Sequence, residues 1–267
     1  MKITLRLSLV FSLLSLLPYA ATAQDGKVAI AAHRGFWQAE SAQEAQNSIA
    51  ALKESIDKQF WGSELDVHLT VDNVIVVNHD NSIQGIEIKS NPYSALADVR
   101  LKNGESVPTL EEYLKVAKKG KKTMIVLEIK DQKDHDRNIA LTNLAIQALK
   151  DNKLYKPSRT MFISFALDVC EYLAKEAPEF TNQYLNGDKT PAELKELGIN
   201  GLDYQYKKLQ KNPEWVAEAH ALGMSVNVWT VDKEEVMKEM IELGVDCITT
   251  NKPLVLRGIL GQMELTL

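Results

Sequence analysis

The stretch Ser63-Glu64-Leu65-Asp66-Val67-His68-Leu69-Thr70-Val71-Asp72 decides the fold. Alternate residues of a strand point to the same side. Glu64 and Asp66 therefore share one face, Leu65 and Val67 share the other, and His68 has the parity of the two acids. Two carboxylates on one buried face repel each other and are costly to desolvate. An exposed edge strand would leave them in water, whereas a hard divalent cation would satisfy them with oxygen ligands.

The surrounding sequence favours the cation. Runs at 28–33, 63–68, 123–130, 160–164, 181–185, 201–204, 225–230 and 246–249 read as strands. Stretches at 47–59, 109–119, 136–150, 166–177, 191–197, 213–222 and 233–243 read as helices between them. Strands alternating with helices imply a parallel sheet, and eight of them in one domain predict an α/β chain closed as a (β/α)8 TIM barrel. Such a barrel has few edges. An open doubly wound sheet has the same local signature, but no glycine-rich nucleotide-binding loop follows any strand. One region breaks the rhythm. After 74–77 the chain is polar and irregular to Pro108, which predicts a small insertion at about 80–108 over one end of the barrel.

Residues 1–23 carry Lys2 and Arg6, an apolar run from Leu7 to Leu17, and a small-residue end at Ala21-Thr22-Ala23. This is the pattern of a cleavable signal peptide, with 24–267 as the single mature domain. The expected location is the periplasm or the exterior, with no stable membrane insertion after cleavage. The net charge of −5 and the absence of basic runs argue against nucleic acid as a partner. An anionic substrate would have to be met by local cations or by a metal. Cys170 and Cys247 both fall in apolar surroundings and read as buried free thiols.

Other polar residues fall where strands end. Glu128 and Lys130 share a face at the end of 123–130, so Glu128 can complete a metal site and Lys130 can meet a phosphate oxygen or hold Glu128. His33 has the parity of Ala29 and Ala31, and His79 that of Ile75 and Val77. Side chains at the carboxyl ends of barrel strands stand at the catalytic face. Two histidines there suit acid–base work on a phosphodiester, with Arg34 as a fork for its oxygens. His68 is a support residue by this reading, and His135 and His220 are surface residues.

Taken in order, these residues resemble the glycerophosphodiester phosphodiesterase family. The matching motifs are His33-Arg34-Gly35, Asn47-Ser48, Glu64 to Asp72, Val76-Val77-Asn78-His79-Asp80 and Val107-Pro108-Thr109-Leu110-Glu111-Glu112. They continue with Leu127-Glu128-Ile129-Lys130, Ser164-Phe165, Val228-Trp229-Thr230-Val231 and Gly244 to Pro253. The resemblance implies metal-dependent hydrolysis of glycerophosphodiesters to glycerol 3-phosphate and an alcohol. It implies His33 and His79 as the acid–base pair, Glu64, Asp66 and Glu128 as ligands to one Ca²⁺ or Mg²⁺, and Arg34, Lys130 and Trp229 as contacts to substrate. The family usually has Pro-Glu-Asn-Thr before the first helix. Here the chain reads Ala45-Gln46-Asn47-Ser48, so a neutral amide, Gln46, replaces an acid near the metal. Two other readings use the same residues: a phospholipase-like phosphodiesterase on lipid or phosphoinositol, and a non-catalytic phosphodiester-binding protein. Turnover with metal separates the last from either enzyme.

Overall fold

The computed structural model describes residues 28–264. The signal-peptide expectation for residues 1–23 lies outside them. In chain order the elements are β1 (Ala29–Ala32), α1 (Ile49–Asp57), β2 (Gly62–Leu69), β3 (Ile75–Val77), β4 (Ser82–Ile83), β5 (Ile86–Glu87), α2 (Leu110–Ala117) and β6 (Met124–Ile129). There follow α3 (His135–Asp151), β7 (Thr160–Ser164), α4 (Leu167–Glu176), β8 (Asn182–Tyr184), α5 (Pro191–Glu196) and β9 (Gly201–Gln205). The chain ends with α6 (Tyr206–Lys211), α7 (Glu214–Ala221), β10 (Ser225–Trp229), α8 (Glu234–Leu243), β11 (Cys247–Thr250) and α9 (Pro253–Glu264).

Eight parallel strands run in the order β1, β2, β6, β7, β8, β9, β10, β11, and β11 returns to β1, so the sheet closes. Helices separate the strands, giving the (β/α)8 barrel expected from the sequence. The strand parity also holds. Ala29, Ala31, Met124, Val126, Met161, Ile163, Leu185 and Cys247 fill the barrel interior. Leu65, Val67, Leu127 and Ile129 pack outward beneath the helices. Gly62 marks a tight point inside, because a Cβ there would lie 3.2 Å from Val126 Cγ2.

Local chemistry fixes the helix starts. Thr109 and Glu112 form a reciprocal capping box at α2, and Thr190 and Glu193 do the same at α5, where Pro191 opens the helix. The helix α8 ends at Gly244, whose φ of 85° is left-handed.

β2 has three neighbours, and this shapes the mouth of the barrel. It pairs with β6 from Gly62 to Val67 but with β1 only at Gly62 and Ser63. Farther along, β3 takes up Val67–Leu69 in antiparallel pairing. β3 is thus a ninth strand outside the parallel eight. Residues 78–108, with the β4–β5 hairpin, follow it and gather a small core of Val76, Ile83, Ile88, Leu96, Val99 and Val107.

Candidate active site

Between β1 and α1 the chain fills the gap where β1 leaves β2. The Gly35 N–H donates to the Glu64 carbonyl at 3.0 Å, and the Asn47 N–H donates to the Arg34 carbonyl at 2.9 Å. Gly35 has a φ of 74°, and a Cβ on it would sit 2.8 Å from Ala51 Cβ. Only glycine fits there, and its tight packing on α1 holds His33 and Arg34 over the barrel mouth.

Glu64, Asp66 and Glu128 converge beneath that loop. One carboxylate oxygen from each lies within 4.8 Å of the others, and all three residues are buried. The Arg34 backbone N–H donates to Glu64 Oε2 at 2.7 Å, while Glu64 Oε1 has no partner among the described residues. Asn47 Nδ2 donates to Asp66 Oδ2 at 2.8 Å. Lys130 Nζ bridges the cluster, 2.8 Å from Glu128 Oε1 and 3.3 Å from Asp66 Oδ1.

The carboxyls respond differently to this crowding. Burial, then the charges of Asp66 and Glu128, pushes Glu64 well above the usual carboxylate range. Burial and Asp66 raise Glu128 to about 7, against the pull of Lys130. Burial also acts upward on Asp66, but Lys130, His79, Asn47 and Arg34 outweigh it and hold that carboxyl at about 2. Three buried carboxyl groups beside two cationic side chains, Lys130 and Arg34, fit a hard divalent cation.

The histidines approach from two sides. His33 Nδ1 lies 2.8 Å from Asn251 Oδ1. The amide orientation is fixed twice over: Asn251 Nδ2 donates to Asp232 Oδ2 at 2.7 Å, and Trp37 Nε1–H, a donor only, reaches Asn251 Oδ1 at 3.0 Å. Nδ1 of His33 must therefore carry the proton, which leaves Nε2 with its lone pair. Burial and then Arg34 lower the His33 pKa to about 4. His79 is more open, and its Nδ1 lies 2.7 Å from Asp80 Oδ1. Burial lowers its pKa, opposed first by Asp66.

Strand parity does not place His79, a correction to the sequence reading. Ile75 and Val77 pack outward under the helices, and the chain bends after β3 before His79 turns in. His68 Nε2–H donates to the His79 carbonyl at 3.1 Å and so supports that bend. Gln46 turns to the arginine: its Oε1 accepts from Arg34 Nη1 at 2.6 Å. Arg34 Nε lies 3.8 Å from Asp66 Oδ2. His135 and His220 pair with Asp168 and Asp246 on the outside.

A cavity of about 170 Å³ links these groups. Its upper wall has His33, Arg34, Glu64, His79 and Glu128, and it descends past Phe165, Ile163, Leu185 and Trp229 to Asp203 and Thr249. Trp229 meets Phe165 edge to face, with centroids 5.5 Å apart, and its indole N–H donates to the Asp203 carbonyl. Beside the cavity an open groove runs along His79, Asp80, Asn81, Ser82, Lys130 and Lys133. Sequence reasoning did not assign roles to Asn251, Asp232 or Asp203. Asp203 shares the parity of Gly201 and Gln205 in β9, while Leu202 and Tyr204 take the other, a weaker form of the signal that revealed Glu64.

The glycerophosphoryl diester phosphodiesterase family pattern matches residues 33–255. The chain belongs to that family. It is accordingly an enzyme of glycerophosphodiester hydrolysis. A solved glycerophosphodiester phosphodiesterase from Parabacteroides distasonis is 47% identical, with a TM-score of 0.86 over 89% of this chain and 98% of that one. A glycerophosphodiester phosphodiesterase from Caldanaerobacter subterraneus is 28% identical, over 85% of this chain and 95% of its own length. An Oleispira antarctica phosphodiesterase solved with the product sn-glycerol-3-phosphate is 20% identical, with a TM-score of 0.74, and shares the fold.

Proposed function

We propose that this enzyme hydrolyses glycerophosphodiesters to glycerol 3-phosphate and an alcohol with one divalent cation, Ca²⁺ or Mg²⁺. The observation that carries this reading is the buried trio Glu64, Asp66 and Glu128 facing two histidines at the carboxyl end of the barrel. The trio would hold the cation, which supplies positive charge against the phosphate oxygens.

Arg34 and Lys130 bind the remaining non-bridging oxygens and stabilise charge as it builds. Lys130 also keeps Asp66 ionised. His33 acts as base: its proton is tied down on Nδ1 by Asn251, and Nε2 takes the proton of the attacking oxygen. His79 acts as acid. Asp80 holds its Nδ1–H and favours the imidazolium that gives its Nε2 proton to the departing alcohol. Trp229 and Phe165 exclude water from the buried arm of the substrate.

His33→Ala and His79→Ala should each lower kcat by about 10²–10⁴-fold with folding intact. Near-normal turnover in either variant removes that histidine from the mechanism. Residues 1–23 carry the further proposal that the enzyme is exported to the periplasm or secreted. Recovery from the producing cell of protein that still begins at Met1, in the cytoplasmic fraction, would overturn it. No helix among the described residues is long and apolar enough to cross a membrane.

A further inference from the structure

Asp203 and Thr249 line the cavity, and Asn227 stands on the strand between them. Asp203, Asn227 and Thr249 lie on three consecutive strands, β9, β10 and β11, with Asp203 and Asn227 paired in register. They are 1%, 3% and 2% exposed. Asp203 Oδ1, Asn227 Nδ2 and Thr249 Oγ1 all lack a hydrogen-bond partner among the described residues. Ile163, Leu185, Phe165 and Trp229 line the same cavity, and their side chains supply no partner to these three atoms. A core selected for stability alone would not leave three polar groups unmet inside a barrel, because each one costs desolvation.

We propose that Asp203 and Thr249, backed by Asn227, form a recognition floor for the hydroxyls of a short polyol arm on the substrate's phosphate. The inference rests on the hydrolase reading above and adds the specificity-determining residues. The lining offers such an arm both apolar and polar contacts. Its carbon edge lies along Ile163, Leu185 and Trp229, and its hydroxyls meet Asp203 and Thr249. The phosphate remains at Arg34 and Lys130. A carboxyl oxygen of Asp203 accepts from a hydroxyl, and Thr249 Oγ1 both accepts and donates. An arm without hydroxyls would enter the same space and leave all three groups unpaired, which is a strong basis for rejection. The open groove beside His79 imposes no such demand on the other alcohol.

The test is calorimetric binding of glycerol 3-phosphate and of propyl phosphate, the same carbon chain without hydroxyls, to the purified enzyme with Mg²⁺. Wild type should prefer glycerol 3-phosphate. Asp203→Leu and Thr249→Val, both close in shape but without the polar atoms, should erode that preference, with a loss of at least tenfold in the double variant. Unfolding midpoints check that each variant folds, and Thr249→Val carries the test alone if Asp203→Leu does not fold. The proposal fails if both ligands weaken equally, or if the ratio does not change. It also fails if wild type shows no preference, in which case the floor holds ordered water only. Binding is read without turnover, so a failed hydrolase assay and a failed floor are separate results.

Discussion

His33 and Asn251, 218 residues apart in sequence, meet at 2.8 Å where β1 and β11 close the barrel. The bond sets the tautomer of the base, and Asp232 sets Asn251 in turn. Asn251→Ala should therefore lower kcat by about 10-fold to 10²-fold while KM changes little, since a base held loosely loses part of the ~10²–10⁴-fold that acid–base catalysis supplies. Steady-state kinetics on one glycerophosphodiester decide it. A change confined to KM would mean that Asn251 serves binding instead.

Cation binding should stabilise the protein more at pH 8 than at pH 5.5. Glu128 is raised to about 7 and Glu64 is raised as well, so the cation-free native state holds protons that the unfolded chain has lost. Stability of the cation-free protein from these groups is present below the ordinary carboxylate range and declines as pH rises through 7. A cation displaces those protons, so its advantage grows by about 1.4 kcal/mol per pH unit for each proton released. Thermal unfolding with and without Mg²⁺ at the two pH values measures the difference. An equal gain at both would remove the carboxylates from the cation site.

Low pH should act on the histidines in the opposite sense. His33 and His68 are both held at about 4, below the unfolded value of 6.5. The unfolded chain therefore takes up their protons first, and stability falls as pH drops from 6.5 towards 4. Each histidine contributes on the order of 3 kcal/mol across that window. With saturating cation to silence Glu64 and Glu128, His68→Gln should flatten the fall measured by denaturant unfolding between pH 6.5 and 4.5. An unchanged slope would show that His68 does not titrate in this way.

Gln46→Glu should weaken glycerol 3-phosphate binding by up to about fivefold, the scale of a partly exposed ion pair. The carboxylate would neutralise Arg34, which Gln46 now holds through a neutral amide at 2.6 Å. Titration of the product into both proteins measures the change. Tighter product binding in the variant would contradict this role for Gln46.

Both cysteines should resist a thiol reagent in the native state and react once the chain is unfolded. Each is fully buried, and burial pushes both thiols well above their ordinary range. Reaction of either thiol in the folded enzyme at pH 8 would show that the barrel opens around it.

Much of the site was legible because a strand has a period of two. Glu64 and Asp66 within β2, Glu128 near the end of β6 and His33 just past β1 each broke an apolar alternation, and all four belong to the site. His79 was found by its motif, while its parity argument failed because β3 runs antiparallel and the chain bends beyond it. Asn251 and Asp232 were silent because a hydrogen-bond chain between loops leaves no periodic mark. Asp203 did leave one, yet a single acid in an apolar strand carries less weight than the pair in β2. The insertion announced itself only as a long polar interruption, since its core of Ile83, Ile88, Leu96 and Val99 is spread over irregular chain.

The most direct measurement is release of glycerol 3-phosphate from glycerophosphocholine, glycerophosphoethanolamine and glycerophosphoglycerol, first after chelation and then with Ca²⁺ or Mg²⁺ restored. Turnover should be lost on chelation and recover with one of the two ions. Full turnover in the chelated enzyme, or none on any of the three with the folded protein and added cation, would contradict metal-dependent hydrolysis of glycerophosphodiesters.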